Sequence, residues 1–153
     1  QGGEIDYAGA PTGEIPTDQI QPLSEQLADE FKLTDIASTY YYEFNTKEAP
    51  FNNAKIRKAF AMAIDRQSLI DNVTKAGQTP AFGFVPTSIA GLNNQSFRDE
   101  HSDADYFKED AAAAKTLLEE GMAEEGITTL PSITLLYNTS ENHQKLALAV
   151  ADM

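Results

Sequence analysis

Residue types with wide chemical reach are few in this chain: two histidines, no cysteine, and 24 Asp and Glu against 11 Lys and Arg. His101 sits in Asp99-Glu100-His101-Ser102-Asp103-Ala104-Asp105, a run of oxygen and nitrogen donors of the kind that holds a divalent cation. A calcium loop counted from Asp99 needs glycine at its sixth place and glutamate at its twelfth, where this chain has Ala104 and Asp110. The run therefore reads as a solvated acidic loop, and no metal site is assigned. His143 follows Ser140 by three residues, which pairs a nucleophile type with a base type. At a helix start, the simpler reading of that spacing is a capping serine and its neighbour. The chain has no GxSxG elbow, no glycine-rich phosphate loop and no histidine pair one helical turn apart. No catalytic residue and no cofactor is assigned, and the chain is not expected to be an enzyme.

Binding chemistry is better represented. Residues 39–45 read Thr-Tyr-Tyr-Tyr-Glu-Phe-Asn. Side chains alternate along an extended segment, so Tyr41, Glu43 and Asn45 share one face while Tyr40, Tyr42 and Phe44 share the other. The pattern alone favours a half-exposed strand that buries its aromatic side. The competing reading places Tyr41 and Glu43 in a cleft, an aromatic plate beside an anion that could hold a peptide-like or cationic ligand. Asn138 lies just past a second extended stretch, where a turn residue is expected, and His143 reads as a surface residue in a first helical turn. Strand ends in open α/β sheets are also where ligands bind, so both stay candidates.

The elements that would position these residues follow from periodicity and punctuation. Residues 4–8 form a short strand candidate, and Pro22 is placed to open a helix with Leu23, Leu27 and Phe31 on one face, ending near Leu33. Pro50 stops the 39–45 strand, and Asn52 or Asn53 caps a helix whose Ile56, Phe60 and Ile64 form a buried line, with Ala59 and Ala63 allowing close approach. Lys55, Arg57 and Lys58 sit at the positive end of that helix's dipole, a conflict that calls for carboxylate partners elsewhere. Asp65 caps a further helix with Leu69, Ile70 and Val73 inward and Gly77 as its left-handed stop. Residues 80–105 read as a long irregular crossing with one extended piece at 82–85. A helix over 109–120 buries Leu117 and Leu118 and stops at Gly121. A strand at 133–137 follows, and Ser140 then caps a last helix with Leu146 and Val150 inward. Helices alternating with extended pieces make an α/β pattern.

The formal charge of -13 argues against nucleic acid and anionic lipid as partners, since both select basic surfaces. No apolar run approaches the roughly 20 residues that span a bilayer. Zero cysteines excludes thiolate chemistry and says little about compartment. Both terminal stretches read as interior sequence, so the chain is expected to be an internal piece of a longer one.

Residues 40–66, Tyr-Tyr-Tyr-Glu-Phe-Asn-Thr-Lys-Glu-Ala-Pro-Phe-Asn-Asn-Ala-Lys-Ile-Arg-Lys-Ala-Phe-Ala-Met-Ala-Ile-Asp-Arg, closely resemble the signature of the peptide and nickel family of bacterial extracellular solute-binding proteins, and best of all its oligopeptide binders. Gly-Gln-Thr-Pro-Ala-Phe-Gly-Phe-Val-Pro at 77–86, Lys-Thr-Leu-Leu-Glu-Glu-Gly at 115–121 and Leu-Leu-Tyr-Asn-Thr-Ser-Glu-Asn-His-Gln-Lys-Leu-Ala at 135–147 continue the likeness. The resemblance implies a fragment of a two-lobed periplasmic-binding-protein-like fold, with residues 1–38 ending the first lobe and 39–153 beginning the second. It implies Tyr41, Glu43, Asn138 and His143 as ligand-binding residues, and it turns the balance for Tyr41 and Glu43 towards the cleft. It further implies short peptides and the membrane subunits of an ABC permease as partners, and a place outside the cytoplasm, with a lipid anchor possible in the full-length protein. Two alternatives stay open. One is a receptor on the same scaffold for dipeptides, cell-wall peptides or nickel chelates; the other is a regulatory or structural descendant with no transport role.

Overall fold

A computed structural model describes residues 4–10, 13–102 and 106–153. Its helices are α1 (Thr17–Gln26), α2 (Ala54–Ala63), the short α3 (Arg66–Leu69) continued by a π-helical turn (Ile70–Thr74), the short α4 (Phe97–Glu100), α5 (Ala111–Glu124) and α6 (Glu141–Asp152).

The core is the antiparallel pair α2 and α5. Asn53 caps α2 by accepting from the Lys55 and Ile56 amides at 2.8 and 3.3 Å, and Asp110 caps α5 by accepting from the Ala113 amide at 2.9 Å. Ile56 is fully buried, and Ala59 and Ala114 are nearly so. The carboxylates demanded by the basic start of α2 lie at the far end of α5. Lys55 Nζ meets Glu120 and Glu124 at 2.8 Å each, and the Asn52 and Asn53 amide groups donate to Glu124 and Glu125 at 2.9 to 3.0 Å. Opposing the two helices sets the negative end of one dipole beside the positive end of the other, and these pairs sit where that helps both. The two carboxylates hold the Lys55 ammonium above its ordinary range, while the Asn53 amide, and after it Lys55, holds Glu124 below its own. Arg57 resolves its part of the conflict differently, by donating to the Phe51 and Asn52 carbonyls at 2.7 and 3.0 Å.

Several expectations need correction. Gly121 does not stop α5; it lies buried inside the helix, which runs on to Glu124, and Gly126 (φ 67°) is the left-handed residue beyond its end. A Cβ at Gly121 would stand 2.7 Å from Ile56 Cγ1, so the glycine serves packing. Helix α1 begins at Thr17, with Pro22 in its interior and the cap residue Leu27 after its end. Its start is fixed from a distance, by the Thr17 amide donating to Asn142 Oδ1 at 3.4 Å. Lys75 (φ 54°) is the left-handed residue that ends the π-helical turn, ahead of Gly77 (φ 71°). Ala63 is exposed, and Leu117 and Leu118 are half-buried.

The larger correction concerns strands. Residues 4–8, 39–45, 82–85 and 133–137 are non-helical, but among the described residues none belongs to a ladder, and a single isolated bridge, Ala90 to Ser96, is the only pairing. A strand exists only where a neighbour supplies the other half of each hydrogen bond, and no such neighbour lies alongside these stretches. The described fold is helix and coil, with the α/β pattern present only as helices alternating with unpaired extended segments. Among the described residues, no helix is long and apolar enough to cross a membrane.

Candidate functional site

Residues 39–45 reach their place through aromatic packing onto α2. Phe44 lies 4.7 Å from Phe51 and 6.3 Å from Phe60, and Phe51 meets Phe60 edge-on at 5.2 Å. Anchoring one face in this way turns the other outward. Tyr41, Glu43 and Asn45 are exposed while Tyr42 and Phe44 are half-buried, which is the alternation expected of an extended segment even without a ladder. Tyr40 departs from that pattern: it is 49% exposed, stacks edge-on with Tyr42 at 5.5 Å and covers the His143 imidazole at 5.0 Å. The Tyr42 hydroxyl is buried with no hydrogen-bond partner among the described residues. Burial, and after it the adjoining Tyr40, pushes the Tyr42 phenol above its ordinary range, so it remains a neutral donor.

Asn138 is exposed, and its Oδ1 accepts from the Ser140 amide at 3.0 Å, the turn role its position suggests. Ser140 Oγ donates to Glu14 at 2.9 Å and accepts from the His143 amide at 3.5 Å, so it caps α6. Both of its contacts avoid the imidazole, and no nucleophile–base pair is formed. The structure thus brings His143 to Tyr40, on the opposite side of the segment from Tyr41 and Glu43. Among the described residues no hydrogen bond or ring contact joins Tyr41 or Glu43 to Asn138 or His143. Part of the acidic run, Asp103 to Asp105, lies outside the described residues; among those described, no group of three or more histidine and acidic side chains is placed to hold a metal ion.

One neighbour was missed by sequence reasoning. Phe84 meets Tyr41 edge-on at 5.2 Å, and its carbonyl accepts from the Thr39 hydroxyl at 2.9 Å. The contact joins residues more than forty apart, which no local pattern reveals; the aromatic spacing of Phe82 and Phe84 around Gly83 was the one available signal. What results is an outward-facing surface of two rings with an exposed carboxylate further along the same face. It can stack on flat or aliphatic groups and attract cations.

Comparison with known proteins follows the same direction. The model of one family, described as bacterial extracellular solute-binding proteins, family 5 Middle, matches residues 1–153. The chain is 40% identical over 157 residues to the oligopeptide-binding protein OppA of Bacillus subtilis, covering 100% of this chain and 27% of that protein. It is 40% identical over 148 residues to the dipeptide-binding protein DppE of the same organism, covering 95% of this chain and 27% of that protein. Among solved structures, the OppA of Haemophilus influenzae in complex with the peptide RPPGFSPFR aligns with a TM-score of 0.69 and 36% identity, over 90% of this chain and 26% of that one. The chain therefore spans about a quarter of the length of the proteins it matches, and its fold is of the class those proteins have.

Proposed function

We propose that this chain, which belongs to the bacterial extracellular solute-binding proteins of family 5, is a segment of the substrate-binding component of an ABC importer that captures short oligopeptides outside the cytoplasmic membrane and delivers them to the permease. The observation that carries the proposal is the likeness over the whole chain to an oligopeptide-binding protein. In this reading residues 1–38 end the first lobe and 39–153 begin the second. The extended segments 39–45 and 133–137 become strands in the complete lobe, where partners complete their ladders. The receptor works in the periplasm or at the cell surface and performs no chemistry on its ligand.

Tyr41 and Glu43 then face the peptide, and Asn138 and His143 meet a separate part of it, His143 from behind Tyr40 on the opposite side of the segment. The exposed Tyr41 ring offers a flat apolar plate and the Glu43 carboxylate favours a cationic group nearby. Closure of two lobes would bury the peptide backbone, while hydrated pockets accept varied side chains, because water bridges polar groups at little cost. Calorimetric titration of the full-length protein with trialanine to pentaalanine tests this. Saturable heat with the peptide recovered intact is expected; no heat, or cleaved peptide, overturns it. A second reading, a dipeptide receptor, is favoured by the equal 40% identity to DppE, and dialanine binding more tightly than trialanine in the same titration would establish it.

A further inference from the structure

Phe84 presents a ring that is 64% exposed on a backbone held at several points. The Thr39 hydroxyl donates to its carbonyl at 2.9 Å. The preceding Gly83 lies against the Arg98 guanidinium. Phe82 turns the opposite way, edge-on to Phe107 at 6.2 Å and 5.6 Å from the Arg66 guanidinium. Pro80 and Pro86 fix φ at either end of the piece. An exposed aromatic ring on a loose loop needs no explanation, but a fixed one is preorganised, with its ordering cost already met before any ligand arrives. The ring packs at 5.2 Å and 63° against Tyr41, itself 53% exposed, so the two rings make a corner, one wall from residues 39–45 and one from the 80–86 loop.

We infer that Phe84 is a ligand-contacting, specificity-determining residue, and that the Tyr41–Phe84 corner takes one apolar or aromatic side chain of the bound peptide. The inference rests on the peptide-receptor reading above. Two rings meeting at an angle suit a side chain that offers one ring its face and the other its edge, whereas an alanine methyl reaches neither well. Phe84 therefore sets which side chain is preferred at one position and leaves backbone capture to other groups.

The test is calorimetric titration of full-length wild type, Phe84→Ala and Phe84→Leu with trialanine and with the three tripeptides in which one alanine is replaced by phenylalanine. For one of those three peptides, affinity relative to trialanine should fall about two- to tenfold in Phe84→Ala, and less in Phe84→Leu, with trialanine changing least of the four. Should Phe84→Ala fail to fold, the leucine variant decides alone. Equal losses for all four peptides, or no change for any, would overturn the assignment of Phe84 while leaving the receptor reading intact. A wild-type protein that binds none of the four overturns both.

Discussion

Gly121 offers the sharpest test of how α2 and α5 are packed. Replacing a glycine inside a helix by alanine ordinarily stabilises it by about 1 kcal/mol, because alanine surrenders less backbone freedom. Here the new methyl would stand 2.7 Å from Ile56 Cγ1, 3.1 Å from Asn53 Oδ1 and 3.2 Å from the Ile56 backbone nitrogen. None of these is the loose end of a flexible side chain: Ile56 is fully buried and Asn53 is the α2 cap. Relief requires α2 and α5 to separate, which strains the core by about 1–3 kcal/mol and pulls on the Lys55 and Asn53 bonds to Glu120 and Glu124. The clash outweighs the propensity gain over most of that range, and Gly121→Ala should open the α2–α5 pair more easily by up to about 2 kcal/mol. Hydrogen-exchange mass spectrometry on the full-length protein would read this as faster exchange of α2 and α5 amides, by up to about thirtyfold, with α6 unchanged. In an Ile56→Ala background, which removes Cγ1, the added cost of Gly121→Ala should shrink or change sign. Slower exchange after Gly121→Ala in the wild-type background would refute the argument.

Arg66 donates to the Ala61 and Ile64 carbonyls at 3.0 Å each and lies 4.5 Å from the Phe107 ring, so Arg66→Lys, which loses the planar fork, should cost about 1–3 kcal/mol in urea unfolding; a variant as stable as wild type would contradict this role. Burial lowers the Arg66 pKa from its usual value while Glu109 opposes the shift, so the group remains charged throughout that assay. Glu100 accepts from the Leu92 and Asn93 amides at 2.9 and 2.5 Å, and those bonds hold its carboxyl below the usual value of 4.5. A depressed folded-state pKa means the contribution is fully present above 4.5 and is lost as pH falls through the lowered value, so protection of the Leu92 and Asn93 amides should persist at pH 4.5 and fade only on further acidification. Glu100→Gln should show weak protection at every pH, and a pH-independent wild type would contradict the bond. For the ligand face, Tyr41→Ala should weaken tripeptide binding by the full-length protein about tenfold, whereas Glu43→Gln should weaken lysine-bearing peptides more than trialanine; calorimetry that finds neither effect removes both residues from the site.

What the sequence makes legible is local. Asn53, Asp65 and Ser140 each cap the helix they precede, because capping depends on a side chain and amides two or three residues away, whereas Asp110, expected inside a helix over 109–120, is the cap of one that begins at Ala111. The misplaced charge of Lys55 announced its distant carboxylates, since a dipole conflict has to be compensated somewhere. The outward set of Tyr41 and Glu43 was readable from alternation, which belongs to the extended backbone and survives without a sheet. Features set by distant partners were not readable. Gly121 resembles a helix stop until Ile56, sixty-five residues earlier, is seen to need its space. The start of α1 depends on Asn142, and the Tyr41–Phe84 corner on a loop more than forty residues downstream. The strands expected at 39–45 and 133–137 have the right composition, but a strand is a property of a pair, and no described residue completes either one.

The central claim is that Tyr41 and Glu43 face the bound peptide. A crystal structure of the full-length protein with a bound lysine-bearing tripeptide tests it most directly. The Tyr41 ring should lie within about 4.5 Å of the peptide, with the Glu43 carboxylate turned into the same cleft. A peptide bound elsewhere, or a Tyr41 ring packed into the protein interior away from it, would remove Tyr41 and Glu43 from the binding site.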